Sequence, residues 1–204
     1  MTHILHLDSS PRGDRSISRT ATKDFITAWK QAHPNDTVTY RDLGHHPVPH
    51  VDEPWIAAAF TPPQQRSPEL NQAIELSDSL VDEFLAADRY IFGIPMYNLS
   101  IPSTFKAYID QIVRVGRTFA VTEQGLAGLV DSSKKMLVIT ARGGSYQQGT
   151  PAASYDLQEP YIRSIFGFIG ITDIKFIHVD NLNYDREKSL ENAHNAAEEA
   201  LANW

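Results

Sequence analysis

Short apolar runs alternate with longer segments of helical periodicity along the chain. The runs have the length of β-strands and are Ile4–Leu7, Val38–Tyr40, Tyr90–Ile94, Met136–Thr140 and Ile174–Val179. Four of them have the isoleucine, valine and phenylalanine content that is typical of strands covered on both faces. The second run alternates polar and apolar residues and therefore indicates an edge strand.

Between these runs, apolar residues recur at every third or fourth position, as they do on one face of an amphipathic helix. The segments with this spacing are 21–29, 70–85, 105–113, 161–168 and 190–201. Strands that alternate with helices predict a three-layer α/β fold, in which a five-stranded parallel sheet lies between two layers of helices. We expect one domain over residues 1–204 and the strand order 2-1-3-4-5, a common order for such sheets.

Two segments do not fit this alternation. Pro47–Pro68 is rich in proline, which removes a backbone donor, so we expect a long loop with no helix or strand over most of its length. Loops of that length are often functional. Arg117–Val130 predicts a short hairpin before the fourth strand.

Composition narrows the possible functions. The chain carries 18 lysines and arginines against 25 acidic residues, a net charge of -7, and a surface of that sign repels nucleic acid and anionic membranes. It has no cysteine, which excludes disulfides, thiolate metal sites and a cysteine nucleophile. Because no apolar stretch has transmembrane length either, we expect a cytoplasmic protein.

The first strand runs into a segment rich in hydroxyl and arginine side chains, and a helix follows it. In an open α/β sheet, ligands bind beyond the carboxyl ends of the strands where the strand order reverses, and this segment lies at that point. Ser10, Ser16 and Ser18, with the free N–H groups of the helix start, favour a phosphate. The alternative is that Ser16 or Ser18 only caps the helix.

The third and fourth strands end in turns that suit a flat ring. Pro95 and Pro102 bracket a turn that offers backbone N–H groups, one aromatic ring and one amide. After the fourth strand, Gly143 and Gly144 indicate either backbone in close contact with a ligand or a turn with positive φ. Each feature alone is compatible with ordinary packing, but together they would surround one crevice that matches flavin mononucleotide (FMN).

The chain resembles the FMN-dependent NADH-azoreductases of bacteria, relatives of the flavodoxin-like NAD(P)H quinone reductases. The likeness covers nearly the whole chain. It is carried by Ser9-Ser10 with Ser16-Ile17-Ser18, by Pro95-Met96-Tyr97-Asn98, by Arg142-Gly143-Gly144 and by 167–173. The resemblance implies a flavodoxin-like fold and a homodimer with active sites at the subunit interface. It also implies that hydride passes from NADH or NADPH through FMN to a quinone or an azo dye.

The family pattern assigns the cofactor contacts residue by residue. Ser10, Ser16, Ile17 and Ser18 would hold the FMN phosphate. Met96, Tyr97, Asn98 and Leu99 would line the ribityl chain and the ring, and the main chain of Ala141, Arg142, Gly143 and Gly144 would contact the polar edge of the ring. If only one face of the ring is exposed, the two substrates must alternate there, which predicts ping-pong kinetics.

Aromatic walls for the acceptor are expected from Phe119, Tyr146 and Phe168, with Trp55 reaching over from the proline-rich loop. Core packing is the alternative for Phe168. The Arg142 side chain is a candidate to stabilise the negative charge of the reduced flavin, with a surface ion pair as its alternative.

The chain departs from the family pattern around the acceptor. The segment Ser145–Pro160 is longer than in well-known members, and Tyr146 stands where a histidine is often found. Ala120 and Val121 replace bulkier side chains. We therefore expect the acceptor pocket to differ more than the FMN site.

Two other functions remain open at this stage. A flavodoxin-type electron carrier would bind FMN without turning over a small substrate, and a regulatory protein could keep the fold without the flavin. His45, His46 and His50 could suggest a metal, but they lack the spacing of a preset site, and no metal is expected.

Overall fold

The computed structural model describes all 204 residues and contains seven strands and six α-helices. The strands are β1 His3–Asp8, β2 Thr37–Asp42, β3 Arg89–Pro95, β4 Phe119–Thr122, β5 Gly125–Gly128, β6 Lys135–Ala141 and β7 Asp173–Val179. The helices are α1 Ile17–Ala32, α2 Glu53–Phe60, α3 Pro68–Ala86, α4 Ser103–Ile112, α5 Glu159–Ile169 and α6 Arg186–Asn203. None of the helices combines the length and apolar character that crossing a bilayer requires.

Five strands form one parallel sheet in the order β2-β1-β3-β6-β7. Counted without the hairpin, this is the predicted order 2-1-3-4-5, and β2 lies at an edge as its alternating pattern indicates. β4 and β5 form the predicted antiparallel hairpin within 117–130.

The sheet is covered on both faces because successive side chains of a strand point to opposite sides. In β3, Tyr90 and Phe92 pack into the larger core, which includes Phe84 and Phe166 on α3 and α5. Ile91, between them, packs into the second core on the other face of the sheet. This arrangement brings the carboxyl ends of β1, β3 and β6 side by side.

The expectation of no helix over most of Pro47–Pro68 is wrong for residues 53–60. Helix α2 occupies Glu53–Phe60, and Asp52 caps it by accepting the Trp55 N–H at 2.9 Å. Proline is tolerated in the first turn of a helix, where its missing N–H has no intrahelical partner. Pro54 lies in the first turn of α2, and Pro68 begins α3.

Candidate functional site

The segment between β1 and α1 combines a helix cap with buried hydroxyls. Ser16 precedes α1, and its Oγ accepts the Arg19 N–H at 3.3 Å, so the capping alternative is correct for Ser16. The hydroxyls of Ser10, Ser16 and Ser18 are nevertheless all buried. The N–H groups of Ile17 and Ser18 donate to no acceptor in the protein. A helix start with free donors and hydroxyls beside it is suited to bind an oxyanion.

The Arg19 side chain is bonded to other residues of the protein. Its two Nη atoms each lie 2.7 Å from a carboxylate oxygen of Asp42, and Nη2 also donates to the Ser10 carbonyl at 2.7 Å. Burial opposes ionisation of Asp42, but hydrogen bonds from Arg19 and His45 outweigh it and hold the pKa of that carboxyl well below its usual range. Arg19 therefore stabilises the backbone at Ser10 through its bond to the Ser10 carbonyl.

His45 belongs to the same network. Its Nδ1 lies 2.8 Å from Asp42 Oδ2. No three histidine, aspartate or glutamate side chains are grouped as metal ligands would be.

The turn after β3 has an unusual backbone. Tyr97 and Ser100 exchange two backbone hydrogen bonds of 3.0 and 3.1 Å, so Asn98 and Leu99 form a two-residue reverse turn. Both have positive φ, 47° and 70°. A leucine in this region is costly and is retained mainly at sites where the strained shape is used. The Asn98 and Leu99 N–H groups have no protein acceptor and are available to a ligand.

This turn is joined to the end of β6. The Met96 N–H donates to the Ala141 carbonyl at 3.0 Å. A groove of about 550 Å³ borders the turn on the side of α4 and α5, and Tyr97, Asn98, Lys106 and Tyr161 are among its lining residues. Tyr97 is partly exposed there.

The glycine pair after β6 does not have positive φ; that alternative is wrong. A Cβ at Gly143 would lie 2.6 Å from Asn183 Nδ2, so Gly143 permits close packing on the loop after β7. The carbonyls of Gly143 and Gly144 accept the N–H groups of Asn183 and Asn181, each at 3.1 Å. The N–H groups of Gly143, Gly144 and Ser145 remain without a protein acceptor.

Arg142 is not part of a surface ion pair. Its side chain is completely buried, and its guanidinium contacts Asp180 at 2.5 Å and Asp156 at 2.8 Å. Its backbone N–H and carbonyl are bonded to Val179 and Leu182. A cation between two carboxylates has its charge compensated locally, so the side chain is poorly suited to neutralise charge on a ligand.

The expected acceptor-pocket residues fall in two places within one chain. The rings of Phe119 and Phe168 are in contact, with centroids 5.0 Å apart. Phe168 lies near the end of α5, roughly 14 Å along the helix axis from its start beside the strand ends. Tyr146 lies at the strand ends, near the proposed ring site, and a Cβ at Gly144 would be 3.5 Å from its hydroxyl.

Trp55 does not reach over the strand ends. Its Nε1 donates to Gln111 Oε1 on α4 at 2.8 Å, and the Arg114 guanidinium stacks on its ring. Its indole N–H is bonded to a residue of α4, so Trp55 anchors α2 to α4.

The site as a whole presents unpaired donors at three adjacent strand ends. They are the N–H groups of Ile17 and Ser18, of Asn98 and Leu99, and of Gly143, Gly144 and Ser145. The first N–H groups of a helix have no intrahelical partner, and a ligand can accept from them and from open turn donors without breaking a protein hydrogen bond. The first pair suits an oxyanion such as a phosphate, and the other two sets can donate to acceptors at the edge of a flat heterocycle.

The fold and the site define a flavodoxin-like protein with a mononucleotide-type crevice. The model of a family described as flavodoxin-like fold matches residues 2–203. The chain is 69% identical to FMN-dependent NADH:quinone oxidoreductase 2 of Trichormus variabilis and 68% identical to FMN-dependent NADH:quinone oxidoreductase of a Nostoc species, with all of each chain covered. The chain therefore belongs to the family of FMN-dependent NADH:quinone oxidoreductases.

Solved structures agree with this placement. An azoreductase of Bacillus anthracis has a TM-score of 0.88 at 33% identity, covering 99% of this chain and 98% of the other. An FMN-dependent NADH-azoreductase of the same species, solved in complex with FMN, has a TM-score of 0.90 at 28% identity over the same shares.

Sequence reasoning missed three features of the site. It did not find the left-handed Leu99, the ties from Asn181 and Asn183 to the glycine pair, or the approach of Gly44 to Ser10. A Cβ at Gly44 would lie 2.1 Å from the Ser10 carbonyl oxygen. Only the glycine offers a local signal, and it does not reveal which residue it approaches.

Proposed function

We propose that the protein binds FMN in this crevice and uses it to transfer hydride from NADH or NADPH to quinones, azo compounds or both. The observation that carries the proposal is the set of unpaired N–H groups at the ends of β1, β3 and β6. Relatives that are 61–69% identical over their full length and are named FMN-dependent NADH:quinone oxidoreductases support it. The lack of cysteine is consistent with action in the reducing cytoplasm.

Each part of the crevice would hold one part of the cofactor. The phosphate would lie at the start of α1 against Ser10, Ser16, Ile17 and Ser18. The ribityl chain and ring would lie along Met96, Tyr97, Asn98 and Leu99 and against the main chain of 141–144. When bound, FMN supplies two-electron transfer between a nicotinamide and an acceptor, and the protein supplies position and electrostatics.

Backbone dipoles are the best candidates to stabilise negative charge in this site. The Arg142 guanidinium is compensated by Asp156 and Asp180. The unpaired N–H groups of Gly143, Gly144 and Ser145 lie at the end of β6 beside the same crevice and need no compensation. Fixed dipoles of this kind stabilise developing charge without reorganisation during the reaction.

We infer that the working form is a homodimer. Ile56 and Phe60 on α2, and Val121 and Leu126 on the hairpin, are large apolar side chains that are substantially exposed in the single chain. Exposed apolar side chains that cluster on projecting elements favour a protein interface. A partner would also bring its own Phe119 region to the acceptor, which explains how aromatic residues that are separated in one chain would serve one pocket.

The dimer can be tested by light scattering of the purified protein. Phe60→Glu should shift the mass toward that of the monomer, while Tyr184→Glu, a change at an exposed aromatic residue outside this surface, should not. A monomeric wild-type protein would contradict the inference.

Steady-state kinetics separate an enzyme from an electron carrier. If bound FMN exposes only one face, NADH and quinone must alternate there and should give parallel double-reciprocal lines, as in ping-pong exchange. Converging lines would show that both substrates bind together. A pure carrier would oxidise no NADH with quinone in the absence of a partner protein.

Cofactor binding is tested independently by titration. The protein should bind about one FMN per chain, with quenching of FMN fluorescence and a yellow product after gel filtration. A folded protein that neither quenches nor retains FMN would exclude the flavoprotein function and favour a binding protein that kept only the fold.

A further inference from the structure

We propose that Arg142 is a positioning residue that holds the segment 145–158 in place as one wall of the acceptor site. It would act through Asp156 and not through the charge of its guanidinium on the cofactor. The proposal rests on the proposed function, because the wall is assigned to the site where a quinone would bind.

The guanidinium joins three separate parts of the chain. Its Nε and Nη2 donate to the two carboxylate oxygens of Asp180, at 2.5 and 3.1 Å, directly after β7. Its Nη1 donates to Asp156 Oδ2 at 2.8 Å, at the far end of the segment. The contacts to Asp180 are buried and the contact to Asp156 is partly buried, and a broken charge pair in a buried place is expensive. Arg142 therefore fixes the segment to the sheet.

Asp156 transmits this constraint to α5. Its other oxygen, Oδ1, accepts the N–H groups of Gln158 and Glu159, each at 3.0 Å, at the start of the helix. One carboxylate thus bonds to Arg142 on one side and caps α5 on the other. Removing both Asp156 oxygens releases both attachments at once.

The end of the segment is also bonded to the proposed cofactor site. The Leu157 N–H is shared between the Leu99 carbonyl at 3.1 Å and the Tyr155 carbonyl at 3.0 Å, and Gln158 Nε2 donates to the Ile94 carbonyl at 3.1 Å. Leu99 is one of the two residues of the strained turn. The position of the segment and the shape of this turn are therefore coupled through a backbone hydrogen bond.

The segment exposes apolar side chains beside these anchors. Tyr155 and Leu157 are 57% and 55% exposed although each is large and apolar. The backbone of Leu157 is bonded to the turn, so these side chains lie at the border of the crevice. An aromatic and an aliphatic side chain held there would contact a planar apolar acceptor.

The test compares two substitutions that alter charge equally but geometry differently. Asp156→Asn and Asp156→Ala both remove one negative charge, but only alanine removes both acceptor oxygens. A positioning role predicts that Asp156→Ala raises the KM for a naphthoquinone by about tenfold, with kcat much less affected. Asp156→Asn, whose single carbonyl oxygen can serve the α5 cap or Arg142 but not both, should raise the KM by an intermediate factor. Arg142→Met should change the KM in the same direction as Asp156→Ala, although it alters the charge with the opposite sign.

Amide hydrogen exchange gives a readout that needs neither cofactor nor turnover. The Leu157 amide should exchange faster in Asp156→Ala than in the wild type, and Asp24→Asn, an exposed change on α1, should leave its exchange unaltered. Leu157→Ala keeps the contact between Arg142 and Asp156 intact, and it should raise the KM for the quinone without changing the affinity for FMN.

Three results would overturn the proposal. The first is an equal rise of the quinone KM in Asp156→Asn and Asp156→Ala. The second is a shift of the flavin reduction potential in opposite directions in Arg142→Met and Asp156→Asn. The third is an unchanged quinone KM in Leu157→Ala. Failure of the proposed function would be seen differently, as a wild-type protein that binds no FMN or oxidises no NADH.

Discussion

Gly93 on β3 lies directly against the buried carboxylate of Asp8 on β1. A Cβ at residue 93 would be 2.2 Å from Asp8 Oδ1. That oxygen also accepts the Thr22 hydroxyl at 2.9 Å, and Oδ2 accepts the Tyr40 hydroxyl at 3.1 Å. The carboxylate is held from several sides and cannot easily move away.

Gly93→Ala should therefore destabilise the fold by about 1–3 kcal/mol, the usual cost of forcing extra volume into a packed core. Denaturant unfolding measures this loss. In the double variant Asp8→Ala/Gly93→Ala the loss should be less than the sum of the two single losses, because the clash is absent. Simple additivity would show that the two residues do not interact as described.

Ser16 and Ser18 separate helix capping from phosphate binding. Ser16 caps α1, so Ser16→Ala should lower the free energy of unfolding of the apoprotein by about 1 kcal/mol. Ser18 makes no capping bond and its hydroxyl contacts that of Ser16 at 3.3 Å, so Ser18→Ala should lower stability by less than Ser16→Ala while weakening FMN binding about tenfold, as expected for a lost hydrogen bond to a charged group.

Riboflavin provides the control for Ser18→Ala because it lacks the phosphate. Its affinity, measured by the same fluorescence titration, should be equal in the wild type and the variant. Parallel losses for FMN and riboflavin would place Ser18 elsewhere than at the phosphate.

Gly144 tests the approach of the flavin ring to the backbone. A Cβ there would be 3.5 Å from Tyr146, an ordinary contact, and the residue has no positive φ. Gly144→Val should consequently fold but bind FMN at least about tenfold more weakly through steric exclusion. Gly167→Ala, where a Cβ meets nothing within 4 Å, should retain FMN affinity. Full affinity in Gly144→Val would show that the ring does not approach this position.

Glu159 should make stability depend on pH in the acid range. A hydrogen bond from His178 at 2.8 Å, with a further one from Arg163, lowers the pKa of this carboxyl from 4.5 to about 2, against the effect of burial. Because the pKa is lower in the folded state, the stabilisation is complete above about pH 4.5 and is lost as the pH falls toward 2.

Unfolding of Glu159→Gln measured at pH 7 and pH 3 tests this dependence. The variant should be less stable than the wild type at pH 7 by about 1–2 kcal/mol, a value reduced by the partial exposure of the carboxylate. The difference should narrow at pH 3. Glu191→Gln, on the exposed side of α6, should be as stable as the wild type at both pH values. A difference in stability for Glu159→Gln that is the same at pH 7 and pH 3 would contradict the lowered pKa of Glu159.

The sheet was largely predictable because its signals are local, and local signals also indicated the candidate crevice. Apolar runs identified the five strands, and the alternating pattern placed β2 at an edge. Ser16 before α1 and the prolines around the Met96–Ile101 turn marked the crevice, since caps and turns depend on residues close in sequence. The proline-rich segment misled because the effect of proline depends on its position in a helix: Pro54 and Pro68 lie in first turns, where they are tolerated.

The sequence by itself determined the positions of the five strands, the hairpin and the three strand ends that carry the unpaired donors, and the expected strand order came from its frequency in such sheets. Only the tertiary structure decided what Arg142 does, since Asp180 lies 38 positions away along the chain and no local pattern pairs them. It also decided that Phe119 and Phe168 meet at the far end of α5 and that Leu99 takes a left-handed conformation. These features follow from contacts between distant segments, whose energies outweigh the preferences of the individual residues.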